Sequence, residues 1–563
     1  MTGTVLTTNA APSTNIADHL PAMAGQDPHR AAVIFPHTRD RRGRVSYTHM
    51  TYRQLDEESD RLARGLIDLG VGAGVRAVLM VPPSLEFFAL VFALFKARAV
   101  MVCVDPGIGI HFLGRCLGEA RPTAFLGVGK AHLARRLFGW GKKTLRTRIL
   151  VGRGAATWRG MISLDELRRR GERSHATLPT DTAADATAAV LFTSGSTGPP
   201  KGAVYTHGHF GAQVRALQAT YGIEPGEVDL ATFPLFGLFA PALGMTAVVP
   251  DMDFTRPGHV DPQKIIEPVE NFGVTNLFGS PALLRRVAEW AAPRGVRLPS
   301  LRRVVSAGAP VPAEVLKQFS KLLSDGAPIF TPYGATESLP VASIDSHEIL
   351  AETAALTAEG RGVCVGRPVG DIELRFIKIT DDPIEQWSDT LPVEAGEIGE
   401  IVVRGPMVTR EYFGRPEATR QAKIPDPRGG FFHRMGDVGY QDTRGRVWFC
   451  GRKSHRVGCA DGDRFTIPTE AVLNRHPKVF RTALVSVVRG GVVEPVLCVE
   501  LDKSVRRRER ATIRRELKEL AAEYSHTQGI TAFLFHPGFP VDIRHNAKIG
   551  REKLARWAER RLR

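Results

Sequence analysis

The residues best suited to chemistry lie in one stretch, Thr193-Ser-Gly-Ser-Thr-Gly-Pro-Pro-Lys-Gly202. Its glycines let backbone N–H groups close around an anion. The hydroxyls of Thr193, Ser194, Ser196 and Thr197 add donors, and Lys201 adds positive charge. A phosphate is the ligand such a loop fits. It is not a Walker loop, because Pro200 stands where that motif needs glycine and Gly202 where it needs serine or threonine. The Pro-Pro-Lys-Gly exit also separates it from an ordinary Ser/Gly turn.

A loop of this kind has to be held by regular elements. The apolar run Ala188–Phe192 ahead of it reads as a strand. Tyr52–Leu69 reads as an amphipathic helix, followed by strand Arg76–Val81, helix Leu85–Ala97 and strand Val100–Val104. Short apolar runs at Asn276–Phe278 and Val304–Val305 continue the alternation. The pattern predicts α/β layers with largely parallel sheets. From Gly396 the texture changes to short β-like runs, Gly399–Arg404 and Val447–Cys450. A tail of about 110 residues follows Arg452 and carries predicted helices Ser504–Glu523 and Arg551–Leu562. The expected organisation is an α/β protein in two parts. Residues 1–451 form a large N-terminal domain of layered α/β sheets plus a β-rich subdomain. Residues 452–563 form a small, mobile α+β C-terminal domain, with a hinge near 452–454.

Composition narrows the function classes. The chain has 563 residues, 43% of them hydrophobic and 24% charged, which suits a globular protein with a large core. Its net charge of +16 favours anionic ligands or surfaces. No helix-turn-helix, zinc-finger or aromatic RNA-binding signature accompanies that charge, so no nucleic-acid partner is expected. Six cysteines without a CxxC pair give neither a disulfide framework nor a zinc site, and a reducing cytoplasm fits them. The start has no signal-peptide pattern. The uncharged run Leu230–Pro250 is interrupted by Pro234, Gly237, Pro241 and Gly244, so it is expected to be a buried helix or pocket wall rather than a membrane span.

The Thr193–Gly202 loop resembles the signature loop of the adenylate-forming superfamily, which holds acyl-CoA synthetases, luciferases and peptide-synthetase adenylation domains. Further motifs follow in that family's order. Ser306-Ala-Gly-Ala-Pro310 resembles the segment lining the adenine, which implies adenosine contacts for Gly308, Ala309 and Pro310. Tyr333-Gly-Ala-Thr-Glu337 resembles the motif that stacks on adenine through its tyrosine, beside Gly334. In that motif the threonine, here Thr336, contacts phosphate, and the glutamate, here Glu337, holds magnesium. Gly436-Asp-Val-Gly439 resembles the ribose-binding motif and gives that role to Asp437. Gly451-Arg452 resembles the arginine-bearing entry to a hinge. Asn546-Ala-Lys-Ile549 resembles the tail motif with the catalytic lysine, here Lys548. The resemblance implies ATP as substrate, Mg²⁺ as its metal, and ATP contacts from Thr193, Ser194, Gly195, Ser196, Thr197, Gly198 and Lys201. The residue types agree with these roles. A phenol offers a π-face to a purine, a carboxylate is a hard ligand for Mg²⁺, and a lysine is a mobile cation.

Within the superfamily, the stretches Phe236–Gly244, Val249–Pro257, Phe278–Leu283, His433–Tyr440 and Val541–Lys553 resemble the β-lactone synthetases of long-chain olefin and β-lactone pathways. That resemblance implies a long-chain 2-alkyl-3-hydroxy acid as substrate and other enzymes of the same lipid pathway as partners. Departures from the CoA-ligase pattern point the same way. Gly237 stands where those ligases commonly have histidine, Ala547-Lys548 replaces their Gly-Lys, and the hinge reads Lys453-Ser-His-Arg-Val457. The alternative is a long-chain acyl-CoA ligase that shares the first step. Phe233, Phe236, Phe239 and Gly279 are candidate acyl-pocket residues. The base for the substrate hydroxyl is left open among His433, His455 and His545. Finally, His132–Arg148 combines Leu133, Leu137, Phe138 and Trp140 with Arg135, Arg136, Lys142, Lys143, Arg146 and Arg148. It is a candidate for peripheral contact with an anionic membrane or a pathway partner.

Overall fold

The computed structural model describes residues 15–152, 160–192, 199–233, 239–541 and 549–562. The chain divides into two compact units. One comprises residues up to 251 together with 409–416, and the other residues 252–408 and 417 onward. The expected α/β class is the class observed, and most predicted elements fall within a residue or two of their predicted bounds.

The first unit holds a seven-stranded sheet. Its order is Ile162–Ser163, Thr147–Val151, Ala124–Val128, Arg76–Met80, Val100–Cys103, Thr187–Phe192 and Gly202–Thr206. All neighbours are parallel except the last pair. In that pair Phe192 lies opposite Gly202, so the segment 193–201 joins two adjacent antiparallel strands. A Cβ at Gly202 would come within 2.7 Å of Val190 and 3.1 Å of the Phe192 ring, which is why the loop exits through glycine. The Leu85–Lys96 helix is buried on nearly every side. Its one buried charge, Lys96, donates to Asp56 and Asp60, each at 2.5 Å, on the Tyr52–Asp68 helix. A burial of that kind requires such partners.

The uncharged stretch after Asp229 is not the single helix expected as one alternative. Strand Val228–Ala231, one turn of helix at Phe239–Ala242 and strand Thr246–Val248 replace it. Gly244, with φ +77°, ends the helix after one turn, and Thr246-Ala-Val248 extends into a pairing with Ala31–Arg39. Among the described residues no helix is long and apolar enough to cross a membrane.

The second unit carries nine strands in the order Glu373–Ile377, Gly399–Arg404, Phe431–Gln441, Val447–Arg452, Val363–Pro368, Ser338–Asp345, Ile329–Ala335, Arg303–Val305 and Asn276–Phe278. The short strand Lys423–Pro425 pairs with Phe431–Gln441. Strand Val363–Pro368 slips register between Cys364 and Gly366 against its neighbour. Gly366 has φ +83°, and a Cβ there would run into the Ser343 carbonyl. A bulge at a left-handed glycine bends a sheet.

Residues 457–562 build three layers. Strands Val479–Arg489, Val492–Leu501 and Ala532–Phe535 form the middle. Alternation sends Leu484, Leu497 and Val499 against Ile513 and Leu517 of the Arg510–Ala522 helix. It sends Ala483, Val485, Val496 and Cys498 against Leu554 and Ala558 of the Arg551–Leu562 helix. The first of these helices is shorter than the predicted Ser504–Glu523, because Asp502 accepts from the Ser504 backbone and hydroxyl and closes a turn there.

Candidate active site

Strand register assembles the centre of the site in the second unit. Asp437 on Phe431–Gln441 lies opposite Arg452 on Val447–Arg452, so the two side chains are cross-strand neighbours. Arg452 Nη1 stands 2.9 Å from Asp437 Oδ1. Tyr333, at the end of strand Ile329–Ala335, donates its hydroxyl to Asp437 Oδ2 at 2.6 Å. Three strands separate Tyr333 from Asp437 in the sheet order. On a flat sheet those four steps would span about 19 Å, further than a phenol reaches. The bend in the sheet therefore makes the contact possible.

Charge and burial fix the protonation of this trio. Burial pushes the Tyr333 phenol well above its usual range and Asp437 reinforces the shift, so the hydroxyl keeps its proton and donates. Burial also pushes the Asp437 carboxyl up, while Arg452 and the Tyr333 hydroxyl pull it down. Asp437 in turn raises Arg452. Asp437 is buried, its Oδ1 paired with Arg452 and its Oδ2 with the Tyr333 hydroxyl; a carboxylate oxygen accepts more than one hydrogen bond, so the pair keeps room for a ribose hydroxyl.

The neighbouring turn supplies a second acid. Ala335 pairs with Ser338, which leaves Thr336 and Glu337 as the two residues of a tight hairpin turn directly after Tyr333 and Gly334. Glu337 is close enough to act electrostatically on Asp437, Arg452 and Lys423. Segment 306–310, with Gly308, Ala309 and Pro310, leaves strand Arg303–Val305 beside the Tyr333 strand, where the Ser306 N–H donates to the Phe330 carbonyl at 2.8 Å. Ser306 Oγ and Ser338 Oγ are both buried without hydrogen-bond partners.

Lys423 was not singled out by the sequence. It is buried, its Nζ lies 5.0 Å from the Phe431 ring centroid, and burial lowers it to about 7 against the opposing pull of Glu337. The available signal was a lone cation between Ala422 and Ile424, just ahead of the Gly436-Asp437 motif.

The remaining predicted residues are distributed as follows. Gly279, in the second unit, leads from strand Asn276–Phe278 into the Pro281–Ala291 helix and packs against Leu283 and Leu284. Lys201, Phe233 and Phe239 belong to the first unit. There Lys201 Nζ sits 5.0 Å from the Tyr412 ring, and Phe239 lies 6.1 Å from Phe210. His433 ties Nδ1 to the Ala422 carbonyl at 3.1 Å. His455 is lowered to about 4 by burial and Arg551, which makes it a weak base. Thr193, Ser194, Gly195, Ser196, Thr197, Gly198, Phe236, Gly237, His545, Ala547 and Lys548 lie outside the described residues. No cluster of three or more His, Cys, Asp and Glu placed to hold a metal occurs among the described residues.

Residues 20–413 match the family model described as AMP-binding enzyme. The chain belongs to the AMP-binding enzyme family. It is thus an ATP-dependent adenylate-forming ligase. It is 50% identical over 549 residues, 97% of each chain, to an olefin β-lactone synthetase of Xanthomonas campestris pv. campestris. To an olefin β-lactone synthetase of Stenotrophomonas maltophilia it is 48% identical over 97% of this chain and 98% of that one. The crystal structure of ATP-bound MatB from Rhodopseudomonas palustris has the same fold, with a TM-score of 0.76, 20% identity and coverage of 98% of this chain and 100% of that one.

Proposed function

We propose that the protein is a β-lactone synthetase that converts a long-chain 2-alkyl-3-hydroxy acid and ATP to a β-lactone, AMP and pyrophosphate. The observation that carries this reading is half-identity, end to end, with an olefin β-lactone synthetase. The departures at Gly237, Ala547 and the 453–457 hinge support it over a CoA ligase.

A carboxylate is a poor electrophile, so the first step activates it. One carboxylate oxygen attacks the α-phosphorus, pyrophosphate leaves, and an acyl-adenylate remains. Asp437 accepts the ribose hydroxyls beside Arg452, and Tyr333 and Ser306-Ala-Gly-Ala-Pro310 face the adenine. The 193–198 loop and Lys201 hold phosphate oxygens, and Thr336 contacts them from its turn. Glu337 fits Mg²⁺ as a single hard carboxylate at an accessible hairpin turn, the triphosphate providing further oxygens. When bound, the metal neutralises phosphate charge. Lys548 meets the charge that develops at the α-phosphate.

In the second step the substrate's own 3-hydroxyl attacks the acyl carbon. A C–O bond forms, AMP leaves, and the hydroxyl proton passes to a base. Holding the two groups together replaces a second substrate, and favourable intramolecular cases reach effective molarities of about 10⁵–10⁸ M; a strained ring captures less. Phe233, Phe236 and Phe239 wall off water that would hydrolyse the adenylate. The 452–563 segment swings about 452–454 to bring Lys548 to the nucleotide. The reaction runs in the cytoplasm, beside the enzymes or the membrane that supply its lipid acid.

Mass spectrometry after incubation with ATP, Mg²⁺ and a 2-alkyl-3-hydroxy acid tests this. Lactone is expected with or without CoA; accumulation of acyl-CoA overturns the lactone assignment. Lys548→Ala is expected to abolish pyrophosphate release and leave ATP affinity intact, and undiminished release removes Lys548 from the step.

A further inference from the structure

The first unit has a face that its own core leaves uncovered. Ile110 and Phe112, on the Ile110–Ala120 helix, are 54% and 39% exposed. Leu133, Leu137 and Phe138, on and just after the Gly129–Leu137 helix, are 48%, 71% and 51% exposed. Leu133, Leu137 and Phe138 form one patch, and Ile110 borders it. Ile110 and Gly114 are four residues apart on one helix face, and the Trp140 indole lies against Gly114, where a Cβ would meet its Nε1 at 3.0 Å. Phe138 stacks on Trp140 with centroids 5.6 Å apart, and Leu133 and Leu137 stand one turn apart beside it. Beneath the patch the packing is firm, because Trp140, Leu113, Cys116, Leu117 and Phe125 share one buried cluster.

Charge along this stretch of chain has one sign. Between Glu119 and Asp165 the sequence has no acidic residue. Lys130, Arg136, Lys142, Lys143 and Arg146 are exposed within that span. His132 takes no part. It is fully buried and bonded through Nε2 to the Ile149 carbonyl at 2.9 Å.

We infer that this face docks on an anionic lipid surface, with Leu133, Leu137 and Phe138 entering the headgroup boundary and the lysines and arginines meeting lipid phosphates. Exposed apolar side chains on a segment with five exposed cations and no acid between Glu119 and Asp165 fit that surface from both sides. A nucleic-acid backbone would use the cations but leave the aliphatic tips in water. The inference rests on the surface and not on the lactone chemistry, so it stands or falls separately.

Flotation of the full chain with phosphatidylcholine vesicles, with and without about 30% phosphatidylglycerol, tests it. Binding only to the anionic vesicles is expected, weakened at least tenfold by raising salt from about 0.1 to 0.5 M. Leu137→Glu with Phe138→Ser should lose binding at least tenfold, and so should Lys142→Glu with Lys143→Glu, which leaves the apolar packing untouched. Both variants should keep the parent's melting temperature and its pyrophosphate exchange on a short, soluble hydroxy acid. Equal binding to both vesicle types, or anionic binding unchanged in both variants, overturns the proposal. Absence of vesicle binding with patch-dependent association between protein molecules in sedimentation also overturns it, in favour of a protein partner.

Discussion

Two charged clusters share the sheet of the second unit and differ in how completely they are matched. Around Glu400 the partners are saturated. Arg434 donates to its carboxylate from Nε and Nη2, at 3.1 and 2.6 Å, and Lys453 adds a third contact at 3.2 Å. Arg434 turns its other donors to the carbonyls of Asp382 and Thr380. Around Asp437 the matching is partial: Arg452 and the Tyr333 hydroxyl hold the carboxylate, while Ser306 Oγ and Ser338 Oγ, on either side of the Tyr333 strand, are buried without hydrogen-bond partners. Each unmatched group costs about 1–3 kcal/mol. The saturated cluster has the character of scaffold, and the partly matched one leaves polar groups that a ligand can satisfy.

The largest expected effect follows from breaking the scaffold. Glu400→Ala strands the buried Arg434 and is expected to cost about 3–5 kcal/mol of unfolding free energy, read by chemical denaturation. A loss below about 1 kcal/mol would show that the cluster is not structural.

His207 tests the comparison from outside it, because its ring is fully buried and both nitrogens lack partners, yet it belongs to the first unit. Burial lowers it from 6.5 to about 4, with Arg98 assisting. The folded value lies below the unfolded one, so stability is intact above about pH 6.5 and is lost as pH falls toward 4. The shift corresponds to about 3 kcal/mol. His207→Leu should flatten this acid limb in melts between pH 7 and 4, and an unaltered slope would assign acid sensitivity elsewhere.

Breaking the site should leave the fold standing. Asp437→Asn is expected to raise the ATP KM roughly tenfold to a hundredfold, the value of a hydrogen bond to a charged group, with a smaller loss of stability than Glu400→Ala because Arg452 is about one-third exposed. An unchanged KM would remove Asp437 from nucleotide binding. Smallest of all is Asp381→Ala. The acid is 70% exposed and its pair with Arg456 at 2.7 Å is open to water on that side, so less than about 1 kcal/mol is expected in the same denaturation assay.

The contrast also explains what the sequence made legible. Periodicity placed Leu85–Lys96 and Arg551–Leu562 nearly to the residue, since burial on a helix face leaves its mark in composition. Motif order pointed to Tyr333, Glu337, Asp437 and Arg452 before any geometry was known. What it did not carry was long-range. Nothing local tells that Tyr333 bonds to Asp437, because that contact depends on a bend made elsewhere in the sheet. Lys423 was missed for the same reason, being an ordinary lysine until Phe431 and Glu337 close over it. The stretch after Asp229 misled because uncharged residues suit a helix, a strand or a wall equally, and only Gly244 and strand pairing decide among them.

The bulge at Gly366 has a practical consequence for anyone hunting this enzyme's active residues by random mutagenesis. A methyl group there collides with the Ser343 carbonyl, on strands that lie between the one carrying Tyr333 and the one carrying Asp437, and so is expected to disturb the contact of phenol and carboxylate. Such a screen would return Gly366 among the alleles that abolish nucleotide use, although it touches none of the groups that hold it. A hit list read as a map would then draw the binding pocket in the wrong place.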